Sequence, residues 1–296
     1  MQQVSLVITD LDNTLYDWVE MWFQSFSAML AELIKTSGIE QSILEPEIRS
    51  VFQHHGTSEY TFLIEELPSL QKLHPGKDLK EVYKSAIEAY RTARRESRQL
   101  YPTVEDTLKI LRKERGCRII AYTESRAYAT MHRIQHLNLD GLIDLVYLAP
   151  THKVPDENSS RYSLPKLKYT KHRFVKEGEF KPNPAILLEI IEQAHEVREK
   201  TMYVGDSLMK DIYMAQQAEV TDVFAAYGVA QHREAYEQLR RVSHWKESDV
   251  QKEKQIYANL SVKPTYTLQN SFSELLQLFD FVPHRKEIAN ERTGSI

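Results

Sequence analysis

The chain has 296 residues, 42% of them hydrophobic and 27% charged, with a formal net charge of −4. That length can bury a sizeable core in two domains, and the balance is that of an ordinary globular protein. The charge excludes a global pull towards nucleic acid polymers or anionic membranes, and no apolar run approaches the ~18 residues of a membrane span. Residues 4–8 are apolar but too short for a secretory leader, and no basic segment precedes them, so a cytoplasmic location is expected. The single cysteine, Cys117, rules out an intrachain disulfide and suits a reducing compartment. In Gly116-Cys117-Arg118-Ile119-Ile120 it reads as a buried, inert thiol where a strand begins.

In chain order, residues 4–9 read as a strand that runs into Asp10-Leu11-Asp12-Asn13-Thr14. Trp18, Trp22, Phe26, Met29 and Leu33 then recur at helical spacing, with Gly38 as the stop. Residues 47–55 and 58–67 read as shorter helices, with Pro68 and Pro75-Gly76 as breaks. Residues 80–98 place Val82, Ala86, Ile87, Tyr90 and Ala93 on one side of a charged helix. Beyond Tyr101-Pro102 the pattern alternates. Helices are expected at 104–113, 127–136, 183–195 and 208–217, and strands at 118–123, 145–148, 201–204 and 222–226. Residues 150–180 look irregular and 231–258 polar and helical, before a last strand at 265–268 and a helix at 271–279. The alternation predicts right-handed βαβ units, hence an α/β fold with a Rossmann-like parallel sheet and helices on both faces. The sheet-bearing core is expected at residues 1–15 and 100–280, an inserted all-helical cap at 16–99, and a disordered tail at 281–296.

Ligands of open parallel sheets collect at the C-terminal ends of the strands, and four polar clusters fall at such ends. Asp10 and Asp12 close the first strand. A carboxylate nucleophile beside a carboxyl acid/base is a workable pair for phosphoryl transfer through an aspartyl-phosphate; a solvated turn is the bland alternative. Thr123 closes the second core strand and precedes Glu124-Ser125-Arg126. Its hydroxyl and the following backbone N–H groups can hold phosphate oxygens, or Thr123 can simply cap a helix. Lys181, in Lys181-Pro182-Asn183-Pro184, is either a fixed point charge near the sheet edge or a solvated lysine. In Gly205-Asp206-Ser207-Leu208-Met209-Lys210-Asp211, the two aspartates suit Mg²⁺, while Asp211 also fits a helix start favourable to acids.

Together and in this order the clusters resemble the haloacid dehalogenase (HAD) superfamily. The Asp-x-Asp-x-Thr motif is matched by Asp10, Asp12 and Thr14, the strand-closing Thr or Ser by Thr123, the lysine by Lys181, and Gly-Asp-Ser with a later Asp by Asp206 and Asp211. The helical insertion resembles the cap of the subgroup that holds phosphoglycolate phosphatases, β-phosphoglucomutases, 2-haloacid dehalogenases and several 5′-nucleotidases. The resemblance implies a Mg²⁺-dependent phosphomonoester hydrolase. Asp10 is the nucleophile, and Asp12 the acid/base. Thr123, Glu124 and Lys181 hold phosphate. Asp10, the Asp12 carbonyl and Asp206 hold the metal, with Thr14 and Asp211 in support. The expected partner is a small phosphorylated substrate such as a nucleotide, sugar phosphate or phosphoglycolate, with no nucleic acid polymer and no membrane. Phosphomutase or phosphonatase chemistry on the same scaffold, or a non-catalytic binding role, are the competing readings. Dehalogenation at carbon fits poorly, because those relatives lack a second aspartate like Asp12. The basic stretch at 150–180 either overhangs the site or is a solvated loop, and 231–258 is either a dimer surface or a polar helix.

Overall fold

A computed structural model describes residues 1–152, 163–245, 251 and 262–284. Strand β1 is Gln3–Val4 and β2 is Leu6–Thr9, whose four residues are all buried. Further strands are β3 (Arg118–Arg126), β4 (Leu145–Ala149), β5 (Lys171–Phe174), β6 (Thr201–Gly205), β7 (Thr221–Ala225), β8 (Tyr266–Leu268) and β9 (Asp280–Phe281). Seven of them form one sheet in the order β5-β4-β3-β2-β6-β7-β8, and every pairing in it is parallel. The fold class is thus the expected α/β one, with β2 at the centre.

Period-two alternation divides the sheet's apolar residues between two faces. Leu6, Ile8, Ile120 and Tyr203 pack with Ile186, Leu187, Ile190 and Met214 on one side. Val7, Ile119, Ala121 and Val204 pack with Leu108, Met131 and Ile134 on the other. Those partners belong to α8 (Pro184–Gln193) and α9 (Tyr213–Gln217), and to α6 (Val104–Lys109) and α7 (Ala127–His136). No helix among the described residues is long and apolar enough to cross a membrane.

Between β2 and α6 the regular structure described is helical: α1 (Trp18–Ser37), α2 (Gln41–His55), α3 (Pro68–Leu73), α4 (Leu79–Val82) and α5 (Lys84–Ser97). The Asp17 side chain accepts from the Glu20 N–H to start α1, and Gly38, with φ of 70°, ends it by donating to Ile34 O. Pro68 opens α3 instead of breaking a helix, because a first-turn proline lacks only an N–H that had no partner anyway. Trp22, Phe26, Leu33, Ile48 and Phe52 make a second core, with Trp22 and Phe26 stacked at 4.6 Å.

Three local differences from the sequence reading are informative. The stretch 150–180 contains β5, an exposed edge strand without the apolar run that betrays a strand; residues 153–162 lie outside the described residues. Within 231–258, α10 (Glu234–Val242) sets Ala235, Leu239 and Val242 into the helical core, so its described part is a packed helix; most of 246–260 lies outside. Residues 281–284, expected in the tail, are part of the fold. Asp280–Phe281 pairs with Gln3–Val4, Phe281 is buried, and the His284 N–H donates to Gly116 O at 3.0 Å. Residues 285–296 lie outside the described residues.

Candidate active site

The register pairs Thr9 with Ala121 on β3 and with Val204 on β6. The C-terminal ends of three neighbouring strands therefore bring Asp10, Thr123 and Asp206 together. The Asp10 N–H donates to Val204 O at 2.9 Å, which ties the motif to β6 as it leaves the sheet. Asn13 takes up a left-handed φ of 57° and its side chain accepts from the Val19 N–H at 3.1 Å, turning the chain into α1. Packing is tight here. A Cβ on Gly228 would come within 1.7 Å of Asn13 O and 3.2 Å of Asp206 Cβ, so only glycine lets this backbone pass.

Asp10 is the centre of one cluster. Lys181 Nζ lies 2.5 Å from Asp10 Oδ1 and 2.9 Å from Asp211 Oδ1. Tyr122 and Tyr203 wall the ammonium at 5.1 and 5.5 Å, and the Tyr203 hydroxyl donates to Asp211 Oδ1 at 3.0 Å. The Ser207 N–H donates to the other Asp211 oxygen at 3.1 Å. Asn183 caps α8 and the Lys181 N–H donates to Glu124, so the lysine is held where the chain enters the helix. Burial pushes the Asp10 carboxyl up to about 7, against the pull of Lys181 and with Asp211 and Asp12 adding to the rise. Burial also pushes Asp206 well above the usual carboxylate range, and the charges of Asp10 and Asp211 raise it further.

Asp12 faces the other way. Ser125 Oγ donates to its Oδ2, and Arg133 Nη1 lies 3.2 Å from its Oδ1. Arg133 is fully buried and extends its other nitrogen to Glu59. Thr123 is buried and its hydroxyl oxygen accepts from the Ser125 N–H at 3.0 Å. The Glu124 carboxylate accepts from the Lys181 N–H at 2.8 Å and from Lys210 Nζ at 2.5 Å. Against the rise that burial imposes, Lys210 holds that carboxyl below its ordinary range. Its side chain thus braces the Lys181 segment. Thr14 is buried, its hydroxyl 3.4 Å from Asp206 Oδ1.

Asp10, Asp206 and Asp211 place ligand oxygens within 4.8 Å of one another, a group that could hold a metal ion. The donor chemistry fits a hard divalent cation: three buried or half-buried carboxylates lie together, and one lysine, paired with Asp10 and Asp211, is the cation beside them. The Asp12 carboxylate is not a member of this trio.

The sequence model of the haloacid dehalogenase-like hydrolases matches residues 4–219. The chain belongs to that family. Solved structures of HAD-type proteins share its fold. A 2-haloacid dehalogenase from Pseudomonas syringae pv. Tomato DC3000 is 22% identical, covering 93% of this chain and 97% of its own, with a TM-score of 0.53. The HAD-hydrolase YfnB from Bacillus subtilis, solved with magnesium, is 14% identical over 94% of this chain and 100% of its own, with a TM-score of 0.50. A predicted phosphoglycolate phosphatase from Haemophilus somnus 129pt is 16% identical over 94% and 99%, with a TM-score of 0.49. No curated protein sequence matches the chain.

Sequence reasoning missed Ser125 and Arg133 as partners of Asp12, Glu59 as the second partner of Arg133, Tyr203 beside Asp211 and Lys181, and Lys210 as a partner of Glu124. For Arg133 a signal existed. It stands among Thr130, Met131 and Ile134 on the buried side of α7, and a charge inside an apolar stripe calls for a partner. For Glu59 there was none: residues 58–67 read as a helix, but only Ile64–Glu66 form a single 3-10 turn and Glu59 lies in an irregular stretch.

Proposed function

We propose that this HAD-family hydrolase is a Mg²⁺-dependent phosphomonoesterase acting on a small phosphorylated metabolite. The observation that carries the reading is the separation of the two motif carboxylates. Asp10 is buried against Lys181, while Asp12 is held apart by Ser125 and Arg133. One carboxylate suffices to displace a halide from carbon. An alkyl phosphate also needs a proton for its leaving oxygen, and a second, independently held carboxyl supplies it.

In this reading Asp10 attacks phosphorus, and the phosphorus–oxygen bond to the alcohol breaks as Asp12 passes its proton to the departing oxygen. Asp12 then takes a proton from a water that attacks the aspartyl-phosphate. The bond to Asp10 breaks and inorganic phosphate is released. Lys181 draws Asp10 towards its ionised form and, with Thr123, binds phosphate oxygens. Mg²⁺ would be held by Asp10, Asp206 and the Asp12 carbonyl, and would supply positive charge against the phosphate dianion. Phosphoryl transfer asks the protein chiefly for positioning and charge stabilisation, which this cluster offers.

The test is phosphate release with Mg²⁺ over nucleotides, sugar phosphates and phosphoglycolate. Release from at least one class is expected. Silence across the whole panel would overturn the reading, and an isomerised sugar phosphate without free phosphate would replace it with a mutase.

A further inference from the structure

The group that holds Asp12 does not end at the sheet. Arg133 is wholly buried, and burying a guanidinium is costly unless it is well paired. Its fork spans two carboxylates from different parts of the molecule. One is Asp12, at the end of the central strand; the other is Glu59, in the helical insertion after α2. Glu59 is itself fixed from two more helices, by Arg94 of α5 at 2.9 Å and by the Trp18 indole of α1 at 3.2 Å. Arg133 Nη1 also lies 3.4 Å from Ser125 Oγ, the donor to the second oxygen of Asp12, and its guanidinium stands 5.7 Å from the Tyr16 ring. Each group in this chain has its direction set by the next.

We propose that Arg133 and Glu59 are positioning residues that make the orientation of Asp12 depend on the docking of the helical insertion. This rests on the phosphomonoesterase reading. With the insertion docked, Glu59 fixes one arm of the guanidinium fork, and the planar geometry leaves the other arm a single direction, at Asp12. Without Glu59 the fork loses that constraint and Asp12 loses its register towards the leaving oxygen. Neither residue touches Asp10 or Lys181, so the attack on phosphorus is left intact.

The chemistry supplies a readout that a merely structural role would not move. An alkyl phosphate needs a proton on its leaving oxygen, whereas a nitrophenyl phosphate releases a stable anion without one. Steady-state kinetics with both esters and Mg²⁺ are compared for the wild type, Glu59→Gln, Arg133→Met and the double variant. Each variant is expected to lose about 10- to 100-fold in kcat/KM on the alkyl ester, part of the ~10²–10⁴-fold that general acid catalysis supplies, and about threefold or less in kcat/KM on the nitrophenyl ester; kcat also contains the Asp12-assisted hydrolysis of the aspartyl-phosphate, which both esters share. The double variant is expected to match the worse single variant, because both act through one relay. It also removes both buried charges, which covers the case of Arg133→Met failing to fold. Equal losses in kcat/KM on the two esters, or losses that multiply in the double variant, would overturn the inference. A wild type inert towards both esters would overturn the phosphomonoesterase reading, and this inference with it.

Discussion

Asp10 and Asp12 are separated by one residue, yet different parts of the molecule hold them. Asp10 meets Lys181, and through it Asp211, and the backbone of β6; every one of these groups comes from the sheet-bearing part of the chain. Asp12 meets Arg133 and, through it, Glu59, Trp18 and Arg94 of the helical insertion. The first arrangement is complete without the insertion; the second is not. In the proposed mechanism, a site divided in this way holds Asp10 in place at all times, while the orientation of Asp12 waits for a second body to dock. The difference is also one of charge. Around Asp10 the carboxylates outnumber the cations, which favours a bound metal ion. Around Asp12, Arg133 and Arg94 face Asp12 and Glu59 one for one.

The largest expected effect tests the Asp10 side. Asp10→Asn should cost about 10⁴–10⁶-fold in kcat, the range for removing a covalent nucleophile or its partner, with thermal unfolding unchanged within a few degrees. Near-wild-type turnover in that variant would return the nucleophile to another group. Chelation comes next. EDTA should silence phosphate release, and added Mg²⁺ should restore it; full activity in excess chelator would remove the metal from the Asp10 side.

The third prediction concerns the Asp12 side and acid stability. Arg133 and Arg94 beside Glu59 outweigh the effect of its burial and hold its carboxyl down at about 2, below the ordinary 4.5. A carboxyl lowered in the folded state stabilises the protein above its unfolded pKa, and that stability is lost as pH falls towards the folded one. The contribution at neutral pH is on the order of 3 kcal/mol. Urea unfolding should therefore show the gap between wild type and Glu59→Gln narrowing from about pH 5 to about pH 3. A gap independent of pH would mean that Glu59 is not held as an ion by these arginines. The smallest effect is steric. Gly228→Ala must displace the Asn13 carbonyl and should cost about 1–3 kcal/mol, read as a fall in Tm, with activity lost alongside because Asp12 and Asp206 flank the clash.

Much of this architecture was legible in the chain because its signals are local. Buried strands such as β2 and β6 are continuous apolar runs, and the helices between them carry periodic apolar faces. The strands that escaped notice had no such signal. β5 is Lys171-His172-Arg173-Phe174, fully exposed, and β1 and β9 are two residues each, defined only by each other. In the site, the strand-end rule was enough to suggest that Asp10, Thr123, Lys181 and Asp206 meet. It could not show that the Glu124 carboxylate turns to Lys181 and Lys210, since both backbone and side chain at a strand end have reach. Nor could it pair Arg133 with Glu59, whose encounter depends on how two separately packed bodies dock. Contacts within a body leave a periodic trace in sequence; contacts between bodies do not.

The position of β2 in the sheet has a consequence for how the protein is made. The strand comes from residues 6–9, but its two neighbours come from residues 118–126 and 201–205. On the ribosome the helices of residues 18–97 can pack among themselves while β2 still lacks both partners. The pairings that complete the sheet are long-range, and long-range pairings form slowly because loop closure must precede them. Asp10 and Asp12 are thus synthesised before the residues that bury them. They remain hydrated until those later segments emerge, and burying them becomes necessary only when Lys181 and Arg133 already exist to offset its cost.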